Sequence, residues 1–268
     1  MARHVVLKLG GELLEEPTRV AAIAKVARQA AARGPLVIVH GGGREIDRAL
    51  FAAGIAKQQI DGLRITDEST LNVVVAVLAG SVNTQFVAAL NAAKVPAVGL
   101  TGADAAVAPV RKAKPHRTAA GATVSLGHVG EPAGRGAPAL LTHLTRGGYV
   151  PVVASVSAGR SGEIYNVNAD TLAADIAARL GARRLVIAGA TPGVLDAAGA
   201  TLPAVDKALA KRMVASGAAS AGMVAKLAAC RRALDAGVKD VRIVDGRTAP
   251  ALAAALAGAV SGPWSVVK

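Results

Sequence analysis

Short runs of hydrophobic residues alternate along the chain with longer segments in which hydrophobic positions recur every three to four residues. Residues 5–9 and 36–40 are such runs, typical of strands that are covered on both faces of a sheet. Between them, Val20, Ile23 and Val26 recur at helical spacing. The alternation predicts an α/β fold with a mainly parallel, open sheet between two layers of helices, a three-layer α-β-α sandwich.

The same pattern predicts the individual elements and two lobes. Strands are expected at 5–9, 36–40, 95–100, 149–154, 184–188, 241–244 and 264–267. Helices are expected at 18–33, 43–53, 137–146, 168–180, 203–215 and 223–236, with one from Pro250 and a long one between Thr66 and Pro96. Residues 104–130 are rich in glycine, proline and positive charge and predict β-hairpins at the sheet edge. A boundary near 180 predicts lobes 1–180 and 181–268, with a cleft between them for two substrates.

Two of the predicted strands end in glycine-rich turns. Lys8, Gly10 and Gly11 lie at the end of the first strand, and three glycines, 41–43, follow the second strand and precede a helix. Such turns let backbone N–H groups approach an anion closely, and Lys8 adds positive charge. The chain has neither a G-x-x-x-x-G-K-[ST] nor a G-x-G-x-x-G motif, so any phosphate site must use another arrangement. A lysine at the rim of the sheet is the alternative interpretation of Lys8.

Composition narrows the class of protein. The chain has 268 residues, of which 52% are hydrophobic and only 2% aromatic, and its formal net charge is +13. A basic chain attracts anionic ligands and nucleic acid alike. Nucleic-acid binders, however, concentrate Lys and Arg with stacking aromatic residues. Here the one dense basic run, 111–117, is interpreted as a solvated loop or hairpin, so no nucleic-acid partner is expected.

Cysteine usage and the uncharged segments indicate a cytoplasmic protein. The single cysteine, Cys230, excludes an intrachain disulfide and lies in register with core positions of a predicted helix. The chain enters a strand at once, so no signal peptide is expected. Segments 69–93 and 248–267 carry no charge, but polar residues or glycine and proline interrupt both. We therefore predict helices buried between lobes or subunits rather than membrane spans.

Further polar residues stand at positions where a ligand would bind. Arg64 ends the segment Gly62-Leu63-Arg64, just before the long helix, where its guanidinium would pair with a carboxylate; a surface arginine is the equal alternative. Asn166, Asn168 and Asp170 fall on one side if their segment is extended, although Asn168 alone is also a simple helix N-cap. Lys226 would face a phosphate from the first turn of its helix, or be an ordinary solvated lysine.

Taken together, these residues resemble the amino acid kinase family. The resemblance spans nearly the whole chain and rests on V-L-K-L-G-G, V-I-V-H-G-G-G, G-L-R-I-T-D, A-V-G-L-T-G-A-D, L-G-H-V-G, N-V-N-A-D, G-M-V-A-K and V-R-I-V-D-G-R, in the order of the family. The most similar branch implies transfer of the γ-phosphoryl group of ATP to the side-chain carboxylate of N-acetyl-L-glutamate, a step of arginine biosynthesis.

The resemblance also implies roles for individual residues. Lys8 and Lys226 would stabilise the transferring phosphoryl group and Asp170 would orient both lysines. Gly42, Gly43, Arg64 and Asn166 would bind the acceptor in the first lobe. ATP would be bound largely by the second lobe, with Gly10 and Gly11 on its phosphates, and Mg²⁺ would arrive bound to ATP; no metal site of the protein's own is expected. The remaining nucleotide residues would be Ala190, Thr191, Gly193, Val194, Leu195, Ala218, Ala219 and Ser220.

The chain departs from the family pattern where the nucleotide would bind. A Ser or Thr and an Asp usually stand before V-P-G, whereas this chain has Gly189, Ala190 and Thr191. Two alternatives stay open: a kinase for carrier-linked or N-acetylated α-aminoadipate in lysine biosynthesis, and a non-catalytic amino-acid sensor on the same fold. Arginine-inhibited members carry an extra N-terminal helix, whereas only four residues precede the first predicted strand of this sequence. The resemblance therefore implies a homodimer built on the uncharged helix, not an arginine-sensitive hexamer.

Overall fold

The computed structural model describes residues 3–118 and 121–268. The strands are β1 (Val5–Leu9), β2 (Leu36–His40), β3 (Gln59–Ile60), β4 (Leu63–Arg64), β5 (Ala97–Thr101), β6 (Val110–Lys112), β7 (His116–Arg117), β8 (Thr123–Val124), β9 (Val129–Pro132), β10 (Val150–Ala154), β11 (Val156–Ala158), β12 (Ile164–Val167), β13 (Arg184–Gly189), β14 (Ala204–Val205), β15 (Val241–Asp245) and β16 (Trp264–Val267). The α-helices are α1 (Pro17–Ala31), α2 (Gly43–Ala52), α3 (Glu68–Val75), α4 (Asn83–Ala92), α5 (Ala139–Arg146), α6 (Ala169–Arg179), α7 (Lys207–Ala215), α8 (Ala221–Asp235) and α9 (Ala249–Ala257).

The central sheet has the strand order β14-β16-β15-β13-β1-β2-β10-β5. All its neighbouring pairs are parallel except β15 with β16. Successive residues of β1 point to opposite faces, so Val6 packs in one core with α6 and α8, and Leu7 packs in the other with α1 and α9. The predicted α-β-α sandwich with a mainly parallel, open sheet is confirmed.

The strand at the centre of the sheet joins the two predicted lobes. β1 pairs with β2 on one side and with β13 on the other, with Lys8 opposite Val39 and Ile187. The carboxyl ends of these parallel strands lie at one edge, where glycine turns follow β1 and β2. A crevice at that edge is where ligands bind in open α/β sheets.

The hairpin region departs from the prediction for 104–130. Residues 119 and 120 lie outside the described residues. β6 and β9 join β11 and β12 in a separate four-stranded sheet, and β7 pairs with β8, so these strands do not extend the edge of the central sheet. The basic run 111–117 contributes β6 and β7, where Arg111, Lys112 and Arg117 are exposed.

The predicted helix at 203–215 was wrong at its start. Ala204 and Val205 form β14, parallel to the end of β16. The helix begins only at Lys207, after Asp206, whose carboxylate accepts the backbone N–H of Leu209 at 2.7 Å. Pairing with β16 buries Val205 completely, and this tertiary contact outweighs the local helical pattern.

The long helix between Thr66 and Pro96 begins at Glu68 and has Asp67 as its N-cap. Its middle, Ala76–Val82, is π-helical and joins α3 to α4. Within the described part of the chain, Glu68–Ala92 is the one helix long and apolar enough to cross a membrane by length and composition, with a mean hydropathy of 1.9. Helices that pack in the core of a soluble protein pass the same test.

Candidate active site

The two predicted catalytic lysines meet at one buried carboxylate. Lys8 Nζ lies 2.8 Å from Asp170 Oδ1, and Lys226 Nζ lies 3.7 Å from Asp170 Oδ2. Lys8 comes from β1, Asp170 from α6 and Lys226 from α8, so three elements far apart in sequence converge here. Two ammonium groups on opposite oxygens of one carboxylate leave their remaining N–H groups available to a further anion.

The starts of two helices position Asp170 and Lys226. Asn168 is the N-cap of α6, and its side chain accepts the backbone N–H of Thr171 at 3.0 Å. The alternative interpretation of Asn168 is therefore the right one, and Asp170 lies in the first turn of a helix rather than on an extended segment. Lys226 lies in the second turn of α8, not in the first as predicted, and it reaches Asp170 with its extended side chain.

The charges around Asp170 keep it ionised. Burial raises the pKa of this carboxyl group, but the positive charges of Lys8 and Lys226 and their hydrogen bonds outweigh burial and lower the pKa below its usual value. Since the folded state favours the carboxylate, the stability that this ion cluster contributes is present at neutral pH and is lost as the pH falls through the lowered pKa. Near neutral pH Asp170 is charged, so it can orient both lysines but cannot act as a proton donor.

The glycine turns that follow β1 and β2 are in close contact. A Cβ atom on Gly11 would lie 2.5 Å from the Cα atom of Gly42, and a Cβ atom on Gly42 would lie 2.8 Å from Leu78 Cδ2. Contact with backbone requires glycine at position 11, whereas the atom that a Cβ on Gly42 would meet is the end of a flexible leucine side chain, which can shift. Gly43 begins α2 and has open space around it, and α2 has no side-chain N-cap. Backbone N–H groups at the start of α2 therefore remain available to an anion.

The predicted acceptor residues and most of the phosphate residues line one cavity of about 310 Å³. Its wall includes Lys8, Gly10, Gly11, Gly42, Gly43, Arg64, Asn166 and Asp170. Arg64 donates to Gly43 O at 3.4 Å and to Asp47, and Asn166 donates to Thr66 Oγ1 at 3.2 Å. A larger cavity of about 560 Å³ lies beside α1 and α4, and it contains none of the predicted site residues.

The predicted nucleotide residues lie after β13 and before α8. Ala190, Thr191 and Leu195 are partly exposed, but the side chain of Val194 is fully buried, and its backbone N–H donates to Ser265 Oγ at 2.8 Å. Gly193 has a φ of +134° and no room for a Cβ atom beside Ser265. Ala218 is exposed, Ala219 is buried, and Ser220 is the N-cap of α8. None of these residues lines the 310 Å³ cavity.

Sequence reasoning missed three polar side chains beside the site. Glu12 Oε1 accepts the backbone N–H of Ala190 at 3.1 Å, which puts a carboxylate next to the position where the family pattern has an aspartate. Asp47 holds Arg64. His40 is fully buried at the end of β2. Glu12 follows the first glycine pair directly, and this adjacency is the signal that could have singled it out.

His40 ties the second glycine turn to the long helix. Asn83 Nδ2 donates to His40 Nε2 at 3.0 Å and to Val152 O at 3.0 Å. Because Nε2 accepts, the proton of the neutral ring is on Nδ1, which donates to Gly41 O at 3.1 Å. Burial lowers the pKa of His40 to about 4, so the ring is neutral at physiological pH.

Comparison with known proteins identifies the family. A model of the amino acid kinase family matches residues 3–245. The chain belongs to the amino acid kinase family. The match includes all of the site residues described above, from Lys8 to Lys226. It agrees with the resemblance that the motifs carry.

Individual members of the amino acid kinase family are similar over most of the chain. An acetylglutamate kinase of Solibacter usitatus is 40% identical over 255 residues, which cover 95% of each protein. A chloroplastic acetylglutamate kinase of Arabidopsis thaliana is 37% identical over 249 residues, covering 91% of this chain and 70% of that protein. A solved structure of N-acetylglutamate synthase from Neisseria gonorrhoeae has a TM-score of 0.83 at 24% identity and covers 99% of this chain and 59% of its own. That likeness shows the shared fold.

Proposed function

We propose that this protein transfers the γ-phosphoryl group of ATP to the side-chain carboxylate of N-acetyl-L-glutamate, giving N-acetyl-L-glutamyl 5-phosphate for arginine biosynthesis. The observation that carries the proposal is the pair of lysines, Lys8 and Lys226, on opposite oxygens of Asp170. The similarity to acetylglutamate kinases at 37–40% identity supports the choice of acceptor.

The lysines act on the group in transfer. Lys8 lies in the cavity wall with the glycine turns, and Lys226 approaches Asp170 from α8 on the nucleotide side. The phosphoryl group passes between the acceptor carboxylate and ADP, and both ammonium groups neutralise charge on its oxygens. Removing one such contact from a preorganised site typically costs about 10²–10³-fold in kcat. No general base is needed, since the attacking carboxylate is already ionised at neutral pH.

The acceptor occupies the cavity of about 310 Å³. The backbone N–H groups of Gly42 and Gly43 bind the reacting end, Arg64 pairs with the α-carboxylate, and Asn166 contacts the amide region. Transfer of a phosphoryl group depends mainly on position and charge, so a rigid floor of glycine turns and a buried arginine suits this chemistry.

The nucleotide and its metal bind on the other side of the lysine pair. Gly11 donates its backbone N–H group to the phosphates. The N–H group of Gly10, which the resemblance also assigned to the phosphates, already donates to Ala188 O at 2.9 Å, so Gly10 shapes the turn instead. The segments 190–195 and 218–220 border the rest of ATP. Mg²⁺ prefers carboxylate oxygens, but among the described residues Asp170 is already paired with two lysines. The site therefore fits an Mg²⁺ ion that is carried on the phosphates of ATP. Glu12, which accepts the backbone N–H of Ala190, is the nearby carboxylate. The ion, when bound, neutralises phosphate charge. Residues 1–180 thus form the acceptor lobe and 181–268 the ATP lobe of a cytoplasmic homodimer.

A coupled assay tests this proposal. ADP release is measured with ATP, Mg²⁺ and each of two acceptors, N-acetyl-L-glutamate and N-acetyl-L-α-aminoadipate. We expect kcat/KM to be at least tenfold higher for the glutamate derivative. Preference for the aminoadipate derivative would move the protein to lysine biosynthesis. ATP binding without turnover of either acceptor, measured by calorimetry, would favour a non-catalytic sensor.

A further inference from the structure

The guanidinium group of Arg64 is held on one side and lacks a partner on the other. Its Nη2 atom donates to the carboxylate of Asp47 and to the backbone carbonyl of Gly43. Its Nη1 atom is buried and contacts no acceptor within the described residues. The Arg64 side chain is only 10% exposed and lines the cavity. A buried donor without a partner is unfavourable, so the cavity ligand is expected to supply the missing oxygen.

Asp47 sets the orientation of this guanidinium from outside the cavity wall. It lies on α2, about one turn after Gly43. Its Oδ1 atom accepts Arg64 Nη2, and its Oδ2 atom accepts Lys57 Nζ at 2.7 Å. Partial burial raises the pKa of Asp47, but the hydrogen bonds from Lys57 and Arg64 outweigh burial and lower it below the usual value. The carboxylate is therefore charged throughout the working pH range.

We propose that Asp47 is a positioning residue, which fixes the Arg64 guanidinium with Nη1 directed at the α-carboxylate of the acceptor. The inference rests on the proposed function. The guanidinium group is planar, so the bond from Nη2 to Asp47 also fixes the direction of Nη1, and the side chain that carries both nitrogens lines the cavity. Without Asp47, the long side chain of Arg64 samples several rotamers. Binding of the acceptor must then restrict it to one rotamer, and this loss of conformational entropy lowers the affinity for the acceptor.

The experiment compares three variants on two acceptors. Asp47→Ala removes the contact, and Asp47→Asn keeps an amide oxygen that can still accept Arg64 Nη2. Lys57→Ala is the matched control, because it removes the other partner of Asp47 from a half-exposed position. The acceptors are N-acetyl-L-glutamate and 4-acetamidobutyrate, which is the same molecule without the α-carboxylate. Thermal unfolding verifies that each variant is folded.

For Asp47→Ala we expect the KM for N-acetyl-L-glutamate to rise about tenfold, which corresponds to ordering one long side chain, while the KM for ATP stays within about twofold. Asp47→Asn restores most of the affinity, and Lys57→Ala leaves it unchanged. With 4-acetamidobutyrate, Asp47→Ala and the wild type have equal kcat/KM, because Arg64 has no α-carboxylate to bind.

Two results would overturn the inference. One is an unchanged KM for N-acetyl-L-glutamate in Asp47→Ala. The other is an equal loss of kcat/KM on both acceptors, which is the sign of a general structural role. A wild-type protein that turns over neither acceptor would overturn the proposed function, and the inference with it, so the two failures are distinguishable.

Discussion

At the scale of single residues, three buried ionisable groups differ in their charge at neutral pH and in their roles. Asp170 is buried and charged because two lysines share it. His40 is buried and neutral because burial lowers its pKa more than its hydrogen bond to Gly41 O raises it. Cys230 is fully buried, and burial raises the pKa of its thiol, which keeps this group protonated and outside the chemistry. The core-facing interpretation of Cys230 is therefore the right one.

The neutral state of His40 predicts a pH dependence of stability. Its pKa is about 4 in the folded state and near 6.5 in the unfolded state. Between these values the unfolded state binds a proton that the folded state does not, so the free energy of unfolding falls as the pH is lowered. From pH 7 to pH 5 we expect His40 alone to account for a loss of about 2 kcal/mol.

Urea unfolding at pH 7 and pH 5 measures this loss in the wild type and in His40→Gln. Other groups titrate in both proteins, so the difference between their pH dependences isolates His40. We expect the variant to lose about 2 kcal/mol less than the wild type. Identical pH dependences would show that His40 is protonated equally in the folded and unfolded states.

At the scale of elements, the site depends on two glycine turns that contact each other. Gly11→Ala would place Cβ against the backbone of Gly42, which cannot move aside as a flexible side chain does. We expect a loss of about 1–3 kcal/mol in the free energy of unfolding. Gly43→Ala is the control for stability, since open space surrounds Gly43, and its effect should stay within about 0.5 kcal/mol. Equal effects of the two substitutions would refute the contact.

The sequence predicts the long elements well and the short ones poorly. The five-residue strands β1 and β2 were predicted at their observed bounds, because burial on both faces leaves an uninterrupted hydrophobic run. Short strands such as β12 and β14 escaped prediction because they hold too few residues to show a period, whereas the four-residue β16 was predicted at its observed bounds. The π-helical segment Ala76–Val82 also escaped prediction, because Leu78 and Val82 in it continue the apolar stripe of the helices on either side.

The residues of the candidate site were easier to predict than the residues that position them. Lys8 and Asp170 stand in motifs whose order along the chain is specific, and the structure places them together. Asp47 carries no such signal, and Glu12 has only its position directly after the first glycine pair. Asp47 lies on a solvent-facing part of α2, and its role depends on where β4 delivers Arg64. Glu12 contacts Ala190, which is remote in sequence, so only the sheet order of β1 beside β13 reveals the pair.

At the scale of the whole molecule, the long helix presents an uncharged face of small and polar residues to solvent. Asn72, Ala76, Gly80, Ser81, Thr84, Gln85 and Ala88 are exposed on it. Small side chains allow close approach of a second copy of the chain. The predicted homodimer would bury this face, and the site would then stand next to the subunit interface through the contacts of Leu78 and Asn83.

Sedimentation velocity tests the homodimer. We expect the wild type to sediment as a dimer and Ala88→Glu to sediment as a monomer, because the substitution buries an unpaired charge in the interface. Ala208→Glu is the control: it makes the same change at an exposed position of α7 and should leave the dimer intact. A wild-type monomer or hexamer would contradict the prediction.

The central claim is that two lysines on one carboxylate stabilise a phosphoryl group in transfer to a second carboxylate. The most direct measurement is the rate of acyl phosphate formation from ATP and N-acetyl-L-glutamate, trapped with hydroxylamine as the hydroxamate, in the wild type and in Lys226→Ala. We expect the wild type to form hydroxamate and the folded variant to be about 10²–10³-fold slower in kcat, with the acceptor KM within a fewfold of its original value. A variant that retains the wild-type rate would contradict the account.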